Sequence, residues 1–397
     1  MKFLRRQPPV FSPLSLAAVG RSTRLAFLAS EDPRGRLRKW LERRYRAERT
    51  ILCASGTAAL RWGLHSVSAG RPVVALPAFT CFDVATAAVG ADARIALYDL
   101  DPATLGPDLD SLERALRANT GTVVVAPLYG IPVDWDAVEG LATRFGAVVI
   151  EDAAQGYGAS WRGQRLGTLG AVSVLSFGRG KGWTGAGGGA LLLRRTGEMP
   201  GEVAELPEPH VTGEFGVLIR ALAQHTLGRP SVYGLPAGLP WLDLGETKYQ
   251  EPRPPVGMHR ASAALVCETQ SSADREAEVR RANGDAFSAG IRFGGGVLPV
   301  RPPQGATPGF LRFPARLSRG LAGFRDVRQA QRLGIAPSYP STLGALPSVR
   351  RRLVGGGTAW PGAKELVSQL VTFPTHSRLT PAERDQVLYL LNSYGTL

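Results

Sequence analysis

The sequence is poor in cysteine and in lysine. Each shortage limits the classes of protein to which the chain can belong. The three cysteines, Cys53, Cys81 and Cys267, are far apart and lack the paired spacing of a metal site. This pattern excludes a disulfide framework and is typical of reduced thiols, so we expect a cytoplasmic protein. No run reaches the ~20 apolar residues of a membrane-spanning helix. The apolar start of the chain is interrupted by prolines and arginines, which argues against an export signal.

Only five of the 47 basic residues are lysines, and the rest are arginines, giving a net charge of +14. An arginine-favouring genome would produce this excess, and so would a protein that attracts an anionic substrate such as a nucleotide diphosphate. The arginines are scattered and do not cluster with aromatic residues. We therefore do not predict nucleic-acid binding.

A chain of 397 residues is long enough for two or three domains. Short apolar runs alternate with helical patterns through its first half, which predicts a mainly parallel sheet with helices on both faces. The seven runs are residues 50–53, 73–76, 95–98, 123–127, 148–150, 172–177 and 190–193. The last two runs lie too close together for a crossover helix, which indicates a local antiparallel or long-loop connection.

The patterns divide the chain into four parts. Residues 1–34 are punctuated by proline and are predicted to be extended, and residues 35–195 form the large domain. Residues 196–255 have a weak pattern broken by proline and glycine, which we interpret as a variable insertion. Residues 256–397 are predicted to form a smaller α+β domain. It begins with a long helix and ends with a helix behind the capping pair Thr380 and Glu383.

The candidate catalytic residues lie at the ends of two predicted strands of the large domain. The run 147–150 leads into Glu151 and Asp152, and the run 172–177 leads into a glycine loop that contains Lys181. Open α/β sheets bind their ligands at the carboxyl ends of strands. An acid and a lysine there suit pyridoxal 5′-phosphate (PLP), because the lysine forms a Schiff base and the acid keeps the pyridine nitrogen protonated. Small residues at a helix start, at 54–59, suit the phosphate of the cofactor.

These motifs together resemble the DegT/DnrJ/EryC1/StrS family of sugar aminotransferases. SGTAAL (55–60), PAFTCFDVAT (77–86), APLYG (126–130), EDAAQGYGA (151–159) and SFGRGK (176–181) occur in the family's order and spacing. The resemblance implies a fold-type-I PLP transferase with a seven-stranded, mostly parallel sheet sandwiched by helices. It also implies a homodimer whose sites form between two subunits.

The resemblance further implies a role for each site residue. Lys181 would form the Schiff base and shuttle the proton, although a lysine in a glycine loop is more often a surface charge. Asp152 would pair with the pyridine nitrogen, although a helix cap is the simple alternative. The other implied cofactor contacts are Ala154 against the ring, Gln155 at its 3′ oxygen, and Gly56, Thr57 and Ser176 at the phosphate. The ring-stacking position falls among Phe79, Cys81 and Phe82, and core packing is the alternative for both aromatics. No metal site is expected.

One position departs from the family's pattern, and a second position has two possible roles. Met258 stands where the family usually has an asparagine that reaches the phosphate of the neighbouring subunit. His376 lies in a shared C-terminal motif, where a structural role is at least as plausible as a substrate contact.

The implied activity is transfer of an amino group, from glutamate, to a keto sugar nucleotide. The product would be an amino sugar for a glycan or a specialised metabolite. The alternative is a non-catalytic PLP-binding regulatory or scaffold protein. A PLP-dependent dehydratase is disfavoured by Lys181, because dehydrating relatives tend to have histidine there.

Overall fold

The computed structural model describes residues 5–67, 71–194, 204–237, 247–355 and 359–395. Within these residues the strands are numbered in chain order: β1 (Arg49–Cys53), β2 (Val73–Pro77), β3 (Arg94–Tyr98), β4 (Thr120–Val125), β5 (Val148–Asp152), β6 (Ser160–Trp161), β7 (Gln164–Arg165), β8 (Val172–Ser176), β9 (Gly189–Leu193), β10 (Val297–Pro299), β11 (Ala306–Thr307), β12 (Phe313–Leu317), β13 (Ala336–Pro337) and β14 (Leu370–Phe373). The helices are α1 (Leu16–Phe27), α2 (Pro33–Tyr45), α3 (Gly56–Val67), α4 (Phe82–Gly90), α5 (Leu109–Leu116), α6 (Trp135–Arg144), α7 (Thr212–Leu227), α8 (Pro230–Ala237), α9 (Arg260–Gly290), α10 (Val327–Arg332), α11 (Pro347–Arg350), α12 (Pro361–Gln369) and α13 (Pro381–Asn392).

A seven-stranded sheet in the order β1-β9-β8-β5-β4-β2-β3 forms the centre of the molecule. Only β9 runs antiparallel to its neighbours, β1 and β8. The remaining adjacent pairs are parallel. The central strands are buried along their length, as expected for a sheet covered on both faces. The predicted fold class is therefore confirmed, including the antiparallel connection between the last two strands.

A smaller sheet of four antiparallel strands, β10-β12-β14-β13, lies in the C-terminal part of the chain. The 31-residue helix α9 precedes it, and α13 follows it. As the sequence predicts, Thr380 and Glu383 form a reciprocal capping box at the start of α13. The division of the chain at residues 195 and 256 into a large domain, an insertion and a small domain stays a prediction.

Residues 1–34 were predicted to be extended, but this part of the chain contains a helix. Residues 16–27 form α1, which Ser15 caps by accepting a hydrogen bond from the Ala18 backbone N–H. One side of α1 is buried against α7 and α9, so tertiary packing stabilises a helix whose sequence pattern is weak. Residues 6–14, which we call the N-terminal strap, are without helix or strand.

The predicted insertion, residues 196–255, contains two helices that its sequence pattern does not indicate. Helices α7 and α8 lie within residues 196–255, whereas residues 196–203 and 238–246 of the insertion fall outside the described residues. None of the helices in the described residues combines the length and the apolar character that crossing a bilayer requires.

Candidate active site

A pocket of about 450 Å³ opens at the carboxyl ends of β5 and β8, beside the first turns of α3 and α4. It contains every residue predicted for the site except Phe79 and Phe82. The lining residues are Gly56, Thr57, Leu60, Thr80, Cys81, Asp83, Val84, Ala126, Pro127, Asp152, Ala154, Gln155, Ser176 and Lys181. Six separate stretches of sequence thus meet at the sheet edge where open α/β folds bind ligands.

Asp152 and Lys181 meet in this pocket, as the sequence pattern predicts. Burial raises the pKa of the Asp152 carboxyl, and the nearby Lys181 charge acts in the opposite direction. The carboxylate also accepts a hydrogen bond from the Ala154 backbone N–H at 3.1 Å. Asp152 therefore caps the following turn and also presents a partly buried negative charge to the pocket. A cation bound there would compensate that charge.

The adjacent acid, Glu151, points to the other face of the sheet because side chains alternate along a strand. It is fully buried. Its carboxylate accepts hydrogen bonds from the backbone N–H groups of Gly167 (2.6 Å) and Leu169 (3.0 Å) and from the Ser173 hydroxyl (2.8 Å). Glu151 thus anchors a loop, which leaves Asp152 as the acid at the site.

The start of α3 is suited to a phosphate. Ser55 Oγ accepts a hydrogen bond from the Ala58 N–H at 3.0 Å, while Gly56 and Thr57 line the pocket. Backbone N–H groups in a first helical turn lack helical acceptors and attract anions. A Cβ on Gly56 would lie 2.7 Å from Ser176 Cβ, so glycine allows the close approach that brings the Ser176 hydroxyl beside this helix start.

Gln155 is held in a fixed orientation by two bonds. Its Oε1 accepts a hydrogen bond from the Tyr129 N–H at 3.0 Å, and its Nε2 donates one to the Tyr339 hydroxyl at 2.8 Å. Tyr339 follows β13 and packs edge-on against Phe79, with ring centroids 5.4 Å apart. The C-terminal part of the chain therefore orients a pocket residue of the large sheet. No sequence pattern identifies Tyr339 as part of the site, because its only signal is a tyrosine in an irregular segment.

Of the three residues predicted for the ring-stacking position, the structure places Phe79 and Phe82 away from the pocket, in agreement with the alternative of core packing. Both side chains are buried in the core and neither lines the pocket. Cys81, which lies between them at the start of α4, faces the pocket instead. Burial and the neighbouring Asp83 raise the pKa of the Cys81 thiol to about 12, so it is a neutral thiol rather than a nucleophilic thiolate. The chain turns between β2 and α4, and this turn directs the flanking rings inwards.

The backbone around Lys181 is held from two directions. Ser12 Oγ, in the N-terminal strap, donates a hydrogen bond to the Lys181 carbonyl at 2.6 Å. Arg280, from α9, donates to the Gly182 carbonyl at 3.3 Å and to the Phe11 carbonyl at 2.5 Å. Arg280 is fully buried and lies 3.9 Å from the Glu276 carboxylate. No sequence pattern identifies Ser12 or Arg280 as part of the site, since their partners are distant in the chain.

Met258 is part of the hydrophobic core and not of the pocket. Its side chain is buried beside Gly188, where an added Cβ would lie 2.9 Å from Met258 Cε. Its N–H donates to the Leu52 carbonyl at 3.3 Å. Met258 therefore presents no polar group in place of the family's asparagine.

The donor set of the pocket fits PLP. It combines a primary amine, a partly buried carboxylate, two hydroxyl groups and the N–H groups of a helix start, and these match the carbonyl, pyridine nitrogen and phosphate of the cofactor. Together with the mixed seven-stranded sheet, this site defines the class of fold-type-I PLP-dependent transferases.

Comparison with known proteins identifies the family. Residues 34–199 match the model of the DegT/DnrJ/EryC1/StrS aminotransferase family. An L-glutamine:2-deoxy-scyllo-inosose aminotransferase of Streptomyces lividus is 30% identical over 323 residues, which cover 77% of this chain and 70% of the relative. The chain belongs to the DegT/DnrJ/EryC1/StrS aminotransferase family. The predicted family, fold and PLP cofactor class are thereby confirmed.

Other relatives match shorter parts of their own length. The protein of the same name from Micromonospora echinospora is 31% identical over 262 residues, and the match covers 64% of this chain but only 55% of that relative. A UDP-2-acetamido-2-deoxy-3-oxo-D-glucuronate aminotransferase of Pseudomonas aeruginosa is 36% identical over 132 residues, or 33% of this chain and 37% of its own length. The crystal structure of AtS13 from Actinomadura melliaura superposes with a TM-score of 0.75 at 23% identity, covering 98% of this chain and 99% of that one. This last likeness concerns the fold.

Proposed function

We propose that this protein is a PLP-dependent aminotransferase that moves an amino group from an amino acid to the ketone of a sugar nucleotide. The observation that carries the proposal is the convergence of Lys181 and Asp152 on one pocket with the α3 helix start. Relatives named as aminotransferases of UDP-linked keto sugars support the acceptor class, and relatives named for 2-deoxy-scyllo-inosose support amino transfer without a nucleotide on the acceptor.

Each site residue then has a definite task. Lys181 Nζ would attach the cofactor and would carry the proton to and from the reacting substrate carbon. Asp152 would hold a proton on the pyridine nitrogen, and the partly buried position of its carboxylate would strengthen that interaction. Gly56, Thr57 and Ser176 would bind the phosphate. When bound, PLP supplies the electron sink that stabilises negative charge at the substrate carbon.

Gln155, whose amide is oriented by Tyr129 and Tyr339, would bind the 3′ oxygen of the cofactor. Ala154 lines the same pocket, and its small side chain leaves room for a flat ring. Because no aromatic ring lines the pocket among the described residues, Cys81 and Val84 are the side chains available to cover the ring.

Replacing Lys181 tests the assignment. We expect the purified protein to show visible absorbance of bound PLP that borohydride fixes to the chain, and Lys181→Ala to abolish the fixation. Lys39→Ala is the matched control, because Lys39 lies on α2 outside the pocket. Retention of borohydride-fixed PLP in Lys181→Ala would show that Lys181 is misassigned.

A second experiment separates an enzyme from a non-catalytic binder. One relative, 34% identical over 155 residues, is named a pleiotropic regulatory protein. Glutamate or glutamine should convert bound PLP to its amine form if the protein is an aminotransferase, and a UDP-linked keto sugar should then restore the PLP spectrum. A binder would leave the spectrum unchanged with both. Several relatives are named for L-glutamine, so both donors belong in the test.

The proposed cellular setting is the cytoplasm, with a homodimer as the functional unit. Reduced cysteines support the first point, because the cysteines in the described residues are all free. The family resemblance, in which sites form between two subunits, supports the second.

A further inference from the structure

The loop that carries Lys181 has little regular structure of its own. Residues 178–187, which we call the Lys181 loop, form turns and bends without helix or strand. The Lys181 N–H donates to the Gly178 carbonyl at 3.3 Å, while the carbonyls of Lys181 and Gly182 accept hydrogen bonds from side chains outside the loop. Contacts from distant parts of the chain therefore set the position of the Lys181 backbone.

Arg280, the N-terminal strap and the Lys181 loop form a closed ring of hydrogen bonds. Arg280 Nη1 donates to the Gly182 carbonyl at 3.3 Å, and Arg280 Nη2 donates to the Phe11 carbonyl at 2.5 Å. Ser12, which follows Phe11 in the strap, donates from Oγ to the Lys181 carbonyl at 2.6 Å. Two consecutive residues of the strap and two consecutive residues of the loop are thus joined by one arginine of α9.

The guanidinium of Arg280 has a fixed orientation. Arg280 is 1% exposed, and its Nε lies 3.9 Å from the Glu276 carboxylate, one helical turn earlier on α9. The same carboxylate accepts hydrogen bonds from the Ser377 N–H at 2.9 Å and from the Ser377 hydroxyl at 2.6 Å. Because Glu276 is itself anchored, Arg280 presents its two terminal nitrogens in constant directions.

Glycine at position 182 allows the arginine to reach the loop. An added Cβ at Gly182 would lie 2.6 Å from Tyr157 Cβ and 3.2 Å from Arg280 Nη1. A side chain here would move the loop away from α9 and lengthen the bond from Arg280. The backbone beside Lys181 thus rests directly on the guanidinium, with no side chain between them.

A role in packing alone does not require an arginine at position 280. Burial lowers the pKa of Arg280, which reflects the cost of burying its charge, and an apolar side chain of similar volume fills a core without that cost. A planar guanidinium, in contrast, donates to several acceptors in fixed directions. Arg280 uses this property to join the strap to the Lys181 loop.

We propose that Arg280 is a positioning residue of the active site, which together with Ser12 holds the backbone of Lys181 so that its amine faces the pocket. The inference rests on the proposed function, in which Lys181 attaches PLP. Arg280 does not line the pocket, so its effect reaches the cofactor only through the backbone of Lys181. The two side chains act as one unit, because loss of either bond opens the ring.

Hydrogen exchange in the cofactor-free protein tests the ring without any bound PLP. Arg280→Met removes both donors at similar length, and Ser12→Ala removes the hydroxyl. We expect the amides of residues 178–187 to exchange about tenfold or more faster in both variants, because the loop then opens more often. Arg281→Met is the matched control. Arg281 is the next residue of α9 and donates to the Gly158 carbonyl at 2.7 Å, so its loss should leave exchange in the Lys181 loop unchanged.

Release of PLP and the pH dependence of its visible absorbance test the consequence for the cofactor. PLP should dissociate about tenfold or more faster from Arg280→Met and from Ser12→Ala. The pH at which the absorbance of bound PLP changes should also shift, because the hydrogen bonds around the linked nitrogen follow the position of Lys181. Arg280→Lys keeps the charge but cannot bridge both carbonyls, so it should resemble Arg280→Met. The double variant of Ser12→Ala and Arg280→Met should be no worse than the worse single variant.

The outcomes separate this inference from the proposed function. If borohydride confirms Lys181 but Arg280→Met shows wild-type loop exchange, PLP release and absorbance, Arg280 has only a structural role and this inference alone is wrong. Additive effects in the double variant would also overturn it, since they indicate two independent contacts. If Arg280→Met does not fold, Ser12→Ala and Arg280→Lys decide the question with the same measurements. Retention of borohydride-fixed PLP in Lys181→Ala would overturn the proposed function first.

Discussion

In the cofactor-free protein, the carboxylate of Asp152 is partly buried and has no pyridine ring as its partner. Burial raises the pKa of its carboxyl and outweighs the attraction of Lys181. A carboxyl with a higher pKa in the folded state lowers stability as pH rises above its unfolded pKa, about 3.9. We therefore expect cofactor-free Asp152→Asn to be more stable than the wild type near neutral pH.

This advantage should shrink as the pH falls and disappear below about pH 4, where the wild-type carboxyl is protonated in both states. Urea unfolding of both cofactor-free proteins across this pH range measures it. The same substitution should weaken PLP binding, because a neutral amide cannot balance a protonated ring. A stability difference that is constant with pH would show that packing, not charge, separates the two proteins.

His376 is a structural residue that joins the strap to the C-terminal region. Its Nε2 donates to the Pro8 carbonyl at 2.8 Å, and its Nδ1 accepts from the Arg378 N–H at 3.2 Å. Both ring nitrogens are therefore satisfied in the neutral form. Burial lowers the pKa of His376 to about 4, compared with about 6.5 in an unfolded chain.

A histidine with a lowered pKa in the folded state costs stability as pH falls through the window between the two values. At about 1.4 kcal/mol for each pKa unit, the wild type should lose up to ~3 kcal/mol between about pH 6.5 and pH 4. His376→Gln retains a donor and an acceptor but does not titrate, so its unfolding free energy should fall less over this window. Parallel pH profiles of the two proteins would contradict the burial of a neutral His376.

The strap and the Lys181 loop depend on a glycine at their contact. Gly180 has φ +79, and an added Cβ would lie 2.7 Å from Val10 Cγ2. Gly163 has nearly the same backbone, φ +77, with nothing within 4 Å of an added Cβ. Alanine at Gly163 should therefore cost only the left-handed backbone energy, about 1–2 kcal/mol.

We expect Gly180→Ala to cost more than Gly163→Ala in urea unfolding, because it adds a clash with Val10. In a Val10→Ala background the clash is removed, and the cost of Gly180→Ala should fall to that of Gly163→Ala. Gly180→Ala should also lower the amount of PLP that the protein retains, since the clash moves the loop that carries Lys181. Equal costs at the two glycines would mean that the strap does not rest on this loop.

Local patterns predict the large sheet well, because each of its strands is a continuous apolar run between turn residues. They also identify the pocket residues whose motifs stand at strand ends, such as Asp152 and Lys181. Local patterns do not predict helices α1 and α7. Their buried sides consist largely of small or isolated residues, among them Ala18, Val217 and Ala221, so packing rather than periodicity specifies them.

The contacts that complete the site could not be predicted, because they join residues far apart in the chain. Ser12 bonds to Lys181 across 169 positions, and Gln155 bonds to Tyr339 across 184. Whether the side chains of Phe79 and Phe82 point to the core or to the pocket also depends on the turn between β2 and α4. An aromatic residue in a cofactor motif is compatible with a ring contact and with the core, and only the three-dimensional direction of the chain decides between them.

At the scale of the whole molecule, the exposed apolar side chains are concentrated on one face. Of the thirteen large exposed apolar residues in the described part of the chain, eight lie on α1 and α7 or directly beside them. They are Leu16, Phe27, Leu28, Val211, Phe215, Ile219, Leu222 and Leu227. Phe27 and Phe215 stack with ring centroids 5.6 Å apart, so the two helices form one continuous apolar face.

We expect a second copy of the chain to cover this face, because α7 is tied to the loop that follows Lys181. Arg220 Nε donates to the Ala186 carbonyl at 3.2 Å, and Gln224 bonds to Thr184 at 3.2 Å. A partner on α7 would thus lie close to the catalytic loop, which agrees with a site formed between two subunits.

Phe215→Lys and Ile219→Lys should convert the dimer to a monomer in sedimentation measurements, because each places a charge in an apolar interface. Tyr389→Lys is the control, since Tyr389 is exposed on α13 and outside this face. The monomeric variants should also retain less PLP. If they stay dimeric but lose binding to anionic lipid vesicles that the wild type shows, the face contacts a membrane surface instead. A wild type that sediments as a monomer would remove the homodimer from the proposed function.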